Sequence, residues 1–289
     1  MKKNILFLSI SLIVISCDVE EGPFIEDYNS YVNPDKKVLI EDFTGHLCPN
    51  CPEAARELEA IHNIYGDQII GIALHVTKSF AKPNYPSQTG FQYDFRTNWG
   101  DNWDAFYSIS DAGLPKGMIN RIGYQTQSHK LGKDEWAATV ASELRKEIDF
   151  KINILADSNS ITIESEVQKN NSASYNLVVC LTENNIINWQ KDGVNNIENY
   201  EHNHVLRTVL LDDKLSNSDN YISGQKIEKE INYNLSILEQ FNENYSENTA
   251  ENGNGMAGDW NADNISVIAY IYNTITKEVV QVEEVHLNN

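Results

Sequence analysis

Two cysteines separated by two residues are the part of this sequence best suited to chemistry. They are Cys48 and Cys51, in the run Cys48-Pro49-Asn50-Cys51. Thiols at this spacing can form a disulfide and exchange it, because a thiolate attacks a disulfide sulfur directly. The spacing also fits half of a zinc site, or a static disulfide in an oxidising compartment. No second such pair follows at zinc-site spacing, so exchange and a static disulfide are favoured, and neither needs a metal or cofactor.

The elements around the cysteines predict their placement. Val38–Ile40 and Phe43 indicate a buried strand, and the apolar spacing over 53–65 indicates a helix. A second apolar strand is predicted over 68–76. The cysteines would therefore lie at the strand-to-helix junction of a βαβ unit, where this motif is typical of a thioredoxin-like redox site.

A helix start supports thiol chemistry because its free N–H groups and partial positive charge favour a thiolate. Cys48 is predicted to be exposed just before the helix and to act as the nucleophile, with Cys51 as the resolving thiol. His46 precedes the motif, and two interpretations stay open for it. It stabilises the Cys48 thiolate, or it is simply exposed.

A proline segment downstream resembles another part of the thioredoxin fold. In the run 113–121, GLPKGMINR, Pro115 takes the position of that fold's cis-proline. The resemblance implies that Pro115 shapes a substrate groove and that Leu114 offers backbone hydrogen bonds to an extended substrate. Leu47 replaces the usual aromatic residue before the first cysteine, so redox activity does not follow automatically.

The periodicity changes to two after Lys151, and about seven short strands follow. This pattern predicts an immunoglobulin-like β-sandwich. The predicted fold is thus an α/β thioredoxin-like domain over 36–150 followed by an all-β sandwich over 151–289. A closing helix is predicted over 133–147, and the asparagine-rich stretches at 195–196 and 242–254 are predicted to be exposed loops.

The N-terminus resembles a bacterial lipoprotein signal. Lys2 and Lys3 precede a short apolar run that ends in Val14-Ile15-Ser16-Cys17. Residues 1–16 are predicted to be a signal peptide, Cys17 the lipidation site, and 17–35 a tether. No later segment is long and apolar enough for a transmembrane helix, so we expect membrane attachment through lipid only. The formal net charge of −20 argues against nucleic acid as a partner.

A histidine pair and a further cysteine are also candidates for metal binding or thiol chemistry, and both are interpreted as structural. His202 and His204 would share one face of a strand, but a metal site needs three or four ligands and no third is visible. Cys180 lies in an apolar strand and is predicted to be a buried, inert thiol.

The order of the motifs along the whole chain is similar to that in the twenty-eight-kilodalton outer-membrane lipoprotein family of Gram-negative bacteria. The resemblance rests on the lipobox and on VLIEDFTGHLCPNCPEA, GLPKGMINR, NLVVCLTENNIINWQ, YEHNHVLR and DWNADNISVIAYIYN. It implies an outer-membrane location. Two function classes remain. The first is a thiol-disulfide oxidoreductase acting on thiols and disulfides of exported proteins. The second is a non-catalytic binding lipoprotein with a structural disulfide and a surface ligand.

Overall fold

The first βαβ unit forms where the apolar pattern predicts it. Strand β1 (Val38–Thr44) is buried along its whole length and pairs in parallel with β2 (Ile69–His75). Helix α1 (Cys51–Tyr65) packs its apolar stripe, which includes Ala54, Leu58 and Ile61, against these strands. Pro52 suits the first helical turn because an N–H there has no intrahelical partner. Gly66 ends the helix at a φ of 57°, a conformation that glycine adopts without steric cost.

The computed structural model describes residues 32–83 and 90–287, so the predicted signal peptide, Cys17 and most of the tether lie outside the described residues. The helices are α1 (Cys51–Tyr65), α2 (Asn98–Tyr107), α3 (Trp136–Glu143) and α4 (Leu235–Asn248). The strands are β1 (Val38–Thr44), β2 (Ile69–His75), β3 (Lys116–Ile119), β4 (Phe150–Ala156), β5 (Ser160–Val167), β6 (Tyr175–Glu183), β7 (Ile186–Asp192), β8 (Asn195–His202), β9 (Val205–Lys214), β10 (Lys226–Asn232), β11 (Ile265–Asn273) and β12 (Val279–His286). No helix within these residues is long and apolar enough to cross a membrane.

A seven-stranded sheet joins the two halves of the chain. Its order is β12-β11-β6-β9-β2-β1-β3, so strands from both sides of residue 150 belong to one sheet. The connection is a short parallel pairing in which Ala73 lies opposite Val205 and the Ala73 N–H donates to the His204 carbonyl at 2.7 Å. Residues from Val32 onward form one compact unit. The domain boundary at 150/151 stays a prediction.

A three-stranded sheet, β10-β5-β4, packs over the β6–β11 end of the large sheet. Alternating side chains of β4 and β5 point inward and meet the buried residues of β6 and β11, with Ile163 and Val267 fully buried in this core. The seven strands that the period-two pattern predicts all form. The result is a mixed α/β protein with large β-sheets and few helices.

Three local predictions need correction. The stretch 242–254 is not all loop, because helix α4 continues to Asn248 and buries Asn242 and Ser246. Residues 195–196 begin β8 rather than forming a free loop, and β7 with β8 makes a hairpin that the pattern does not predict. The closing helix is shorter than predicted, since α3 covers Trp136–Glu143. Asn242 and Ser246 are buried because their side chains make tertiary hydrogen bonds, which composition alone does not reveal.

A buried arginine just after β3 forms hydrogen bonds with residues of two other strands of the large sheet and of helix α2. Arg121 donates to both carboxylate oxygens of Glu41, at 2.8 and 2.6 Å, and to the hydroxyls of Tyr107 and Tyr270. Its guanidinium carbon lies 4.9 Å from the centroid of the Tyr107 ring. Because the guanidinium has several partners and both carboxylate oxygens accept a hydrogen bond from it, the burial of this ion pair is tolerated.

Candidate functional site

The two cysteines lie where α1 begins, and they are joined in a disulfide. Cys51 is the first residue of the helix, and the two Cα atoms are 5.5 Å apart. The Cys48 N–H donates to the Gly45 carbonyl at 2.9 Å, which closes the turn between β1 and the helix. Each cysteine is only 1% exposed, so the predicted exposure of Cys48 is wrong.

Two segments distant in sequence cause this burial. Residues 77–82 lie on one side, where the Leu47 N–H donates to the Phe80 carbonyl at 2.8 Å. A Cβ atom on Gly45 would lie 2.4 Å from that carbonyl oxygen, so the close approach requires glycine. The β7–β8 hairpin lies on the other side, where the Gln190 amide donates to the Cys48 carbonyl at 3.2 Å.

His46 is fully buried, so the interpretation in which it is simply exposed is wrong. Its Nε2 atom lies 3.0 Å from the Lys82 carbonyl oxygen, and its ring contacts Phe91 and Phe95. Burial lowers the pKa of His46 to about 4. The ring is therefore neutral at pH 7. It brings no positive charge to Cys48, so it does not stabilise a Cys48 thiolate electrostatically, as the other interpretation requires.

The Leu114–Pro115 peptide bond is cis, as the sequence predicts. Strand β3 begins directly after it, with Lys116 opposite Phe43 of β1. Pro115 therefore lies at the same end of the sheet as Thr44, where β1 leads into the cysteine loop. The Leu114 side chain is partly buried against the main core, beside the aromatic residues Trp99 and Tyr124 that pack on the same cluster.

A cavity of about 430 Å³ lies beside Cys51, between α1 and β8. Its walls include Asp42, His75, Tyr200 and His202. Asp42 is only 4% exposed, and its Oδ1 atom has no hydrogen-bond partner among the described residues. Burial raises the pKa of Asp42 to about 8, so the carboxyl is mostly protonated at pH 7. Asp42 was not among the predicted site residues. The available signal was the presence of two acidic residues, Glu41 and Asp42, in the otherwise apolar run of β1.

Histidine rings surround the cavity without forming a metal site. His75 stacks on Phe95 with ring centroids 4.5 Å apart, and the rings of His75 and His202 are 5.6 Å apart. Burial lowers the pKa values of both. His204 lies beyond β8 at a φ of 58°, so the expected sharing of one strand face with His202 is wrong. Within residues 32–83 and 90–287, no group of three metal-ligating side chains is placed to hold an ion.

Cys180 is fully buried in β6, as predicted, and takes no part in this site. Burial raises the pKa of its thiol, which makes it unreactive in the folded protein.

Two solved structures share the overall fold with little sequence similarity. HBP35 of Porphyromonas gingivalis is 12% identical, with a TM-score of 0.56 over 88% of this chain and 76% of that one. Protein AGR_C_4864 from Agrobacterium tumefaciens is also 12% identical, with a TM-score of 0.51 over 88% of this chain and 96% of that one. A domain of the outer membrane lipoprotein Omp28 from Porphyromonas gingivalis is 16% identical, with a TM-score of 0.27 over 50% of this chain and 91% of that domain.

At the level of sequence, no curated protein matches the chain significantly. The family described as outer membrane protein Omp28 matches residues 101–289, which is well over half of the chain. This match covers the cis-proline segment, the β7–β8 hairpin and the whole second half. The chain therefore belongs to the family of the outer membrane protein Omp28 and is located at the outer membrane.

Proposed function

We propose that this protein is a lipid-anchored thiol-disulfide exchange protein acting on exported proteins at the outer membrane. The observation that carries the proposal is that Asp42, a buried and protonated acid, lines the same cavity as Cys51 of the Cys-x-x-Cys pair. Residues 36–150 would have a thioredoxin-like arrangement. The parallel pair β1 and β2, the antiparallel β3 after a cis-proline, and the disulfide at the start of α1 support it.

In the proposed exchange, a thiolate of a substrate dithiol attacks the Cys48 sulfur. The Cys48–Cys51 bond breaks, and Cys51 leaves as a thiolate that takes the proton of the Asp42 carboxyl. The second substrate thiolate then attacks the substrate sulfur of the mixed disulfide, and Cys48 leaves as a thiolate. Two electrons thereby pass from the substrate dithiol to the cysteine pair. A second exported disulfide takes them back by the reverse steps, in which Cys51 returns its proton to Asp42.

The local electrostatics support these roles. A thiolate at Cys48 would lie just before α1, where free N–H groups favour negative charge. Asp42 carries a proton at pH 7 because burial raises its pKa to about 8, and a proton donor is what a leaving thiolate needs. Pro115 and Leu114 would border the substrate from the end of β3, as the resemblance to the thioredoxin fold implies.

A second candidate function rests on the burial of the disulfide. Both cysteines are 1% exposed, which is typical of a static disulfide rather than a reactive one. In that case the protein would be a non-catalytic binding lipoprotein for a surface ligand, and the disulfide would hold the helix start to the loop after β1.

Membrane attachment through lipid on Cys17 is part of the proposal. The run Val14-Ile15-Ser16-Cys17 and the short apolar segment before it support a lipoprotein signal. In a Cys17→Ser variant, incorporation of labelled fatty acid should be lost and the protein should leave the membrane fraction. Unchanged labelling and fractionation would contradict this assignment.

The redox proposal is tested by equilibrating the full-length protein in detergent micelles with glutathione buffers. We expect a potential between about −270 and −120 mV, the range of known exchange proteins. Transfer of the disulfide to a reduced model protein should also occur, and Cys48→Ser should abolish it while Cys180→Ala retains it. A disulfide that stays intact below about −300 mV and is not transferred would favour the second candidate.

A further inference from the structure

We propose that the β7–β8 hairpin, residues Ile186–His202, is a displaceable strap that occupies the peptide-binding edge of the cysteine loop. The disulfide then becomes reactive only when the strap lifts and an extended polypeptide takes its place. This inference rests on the proposed exchange function, because it concerns access to the same disulfide.

The strap is the outer half of one long β-ribbon. Strands β6 and β9 pair in antiparallel fashion up to Glu183 opposite Val205, and the pairing resumes with Ile186 opposite His202. The inner half belongs to the seven-stranded sheet, whereas the outer half pairs with no other strand among the described residues. A two-stranded ribbon standing alone has marginal stability in water. The outer half therefore depends on its contacts with the cysteine loop.

Both strands of the ribbon bend at the same level. Asn185 and His204 have left-handed backbone conformations, with φ values of 57° and 58°. Side chains close the bend, since the Asn185 N–H donates to the Asn203 side chain at 2.8 Å and the His204 N–H to the Asn184 side chain at 2.7 Å. Hinges consist of a few residues at the ends of elements that absorb the change in φ and ψ. The bend at 184–185 and 203–204 has this form.

Backbone donors of the strap pair with the carbonyls of the cysteine loop. The Lys191 N–H donates to the His46 carbonyl, and the Gly193 N–H donates to the Pro49 carbonyl, both at 2.8 Å. Lys191 lies in the extended strand β7, whereas Gly193 lies in the turn after it at a φ of 57°. The Lys191 contact is of the kind that an added strand makes with an exposed backbone group. Such contacts depend on the backbone, so an extended polypeptide of different sequence can replace them.

One buried side chain completes the cover. Gln190 is 3% exposed, and its amide donates to the carbonyls of Cys48 at 3.2 Å and Gly45 at 3.4 Å. The pairing register shifts between Asn188 and Gln190, and such bulges re-aim a side chain. Trp189 packs on Gly90, where an added Cβ atom would lie 2.7 Å from the indole ring.

The rest of the strap is loosely held. The ion pair between Arg56 and Asp192, at 3.0 Å, is largely exposed, so it adds little to the closed state. Five consecutive residues of β8 from Asn195 are exposed, and Val194 at the tip is 96% exposed. Lifting the tip and residues 195–199 therefore removes few buried contacts, whereas His202 at the base of the strap is buried against Phe95. The partner that fits the uncovered edge is an extended polypeptide bearing a thiol or a disulfide.

The test measures how fast the disulfide of the full-length protein is reduced. The protein in detergent micelles is treated with a water-soluble phosphine without denaturant, and alkylation of Cys48 is followed by mass spectrometry. Gln190→Ala removes the two buried hydrogen bonds to the loop, and we expect reduction about tenfold faster than in the wild type. Arg56→Ala should accelerate reduction by less than about fivefold. Asn196→Ala, on the exposed strand of the same hairpin, should leave the rate unchanged.

A second control separates strap opening from unfolding of the whole protein. Ile163→Val lowers overall stability from a core remote from the cysteines and should not change the rate. The proposal is overturned if Gln190→Ala and the wild type react equally fast, or if Ile163→Val accelerates reduction as much as Gln190→Ala does. This readout does not depend on turnover. If exchange with other proteins fails in every variant while Gln190→Ala still accelerates reduction, the proposed function fails and the strap stands.

Discussion

Asp42, whose Oδ1 atom has no hydrogen-bond partner among the described residues, leads to a specific prediction about stability. Burial raises its pKa from 3.8 to about 8 in the folded protein. The unfolded chain therefore releases this proton near pH 4, whereas the folded protein keeps it until about pH 8. The folded state binds more protons in between, so the free energy of unfolding falls as the pH rises. Asp42→Asn keeps a neutral side chain of similar shape and should remove this dependence.

The magnitude follows from the size of the shift. Each pH unit within the window costs the wild type up to ~1.4 kcal/mol of unfolding free energy. Between pH 6.5 and 8 the histidines of the unfolded chain also lose protons, but they do so in both proteins, so their contribution cancels in the comparison. We therefore expect the wild type to lose about 2 kcal/mol relative to Asp42→Asn over this interval. Lys36, whose pKa burial lowers to about 8, affects both proteins equally and cancels in the comparison.

The assay is urea unfolding followed by tryptophan fluorescence at pH 6.5, 7.25 and 8, with the disulfide kept oxidised. Asp67→Asn is the matched control, because Asp67 is exposed and its substitution should leave the wild-type slope unchanged. If the curves of the wild type and Asp42→Asn run parallel across these pH values, Asp42 is already ionised in the folded protein. It could not then donate a proton to Cys51, and the proposed exchange mechanism would have no general acid.

Three further predictions concern packing and charge. Burial lowers the pKa values of His46 and His202 to about 4 and about 3, so the unfolded chain gains protons first as the pH drops below ~6.5. The melting temperature should therefore fall from pH 6.5 to 4.5, and a rise would contradict the burial of these rings. Arg121→Met leaves the Glu41 carboxylate buried without its ion pair, which should cost about 3–5 kcal/mol in urea unfolding. A loss below about 1 kcal/mol would refute that. In Gly117→Ala the new Cβ atom would lie 2.5 Å from the Trp136 ring, and we expect a loss of about 1–3 kcal/mol. Gly132→Ala, where the nearest atom is 3.5 Å away, should stay close to the wild type.

Much of the local structure could be predicted because it depends on neighbouring residues. The apolar run of β1, the helical spacing after Cys51 and the stop at Gly66 are short-range patterns, and each forms as expected. The period-two strands after Lys151 follow for the same reason, since alternation along a strand matches one buried face. Burial of Cys180 and the cis bond before Pro115 were also predicted, from an apolar strand and from a family segment.

The environment of the cysteines depends on the tertiary structure. Gln190 reaches the Cys48 carbonyl from 142 residues away, and no local pattern encodes that contact. The predicted exposure of Cys48 before the helix, and exposure as one interpretation of His46, fail because segments 77–82 and 186–202 cover both residues. The same holds for Asp42, since an acid in a strand is buried and protonated only when other elements exclude water from it. The sequence by itself determined the thiol pair, its helix and its strands. Long-range packing determined the accessibility of the disulfide and the protonation states of neighbouring side chains, because it decides which groups are removed from water.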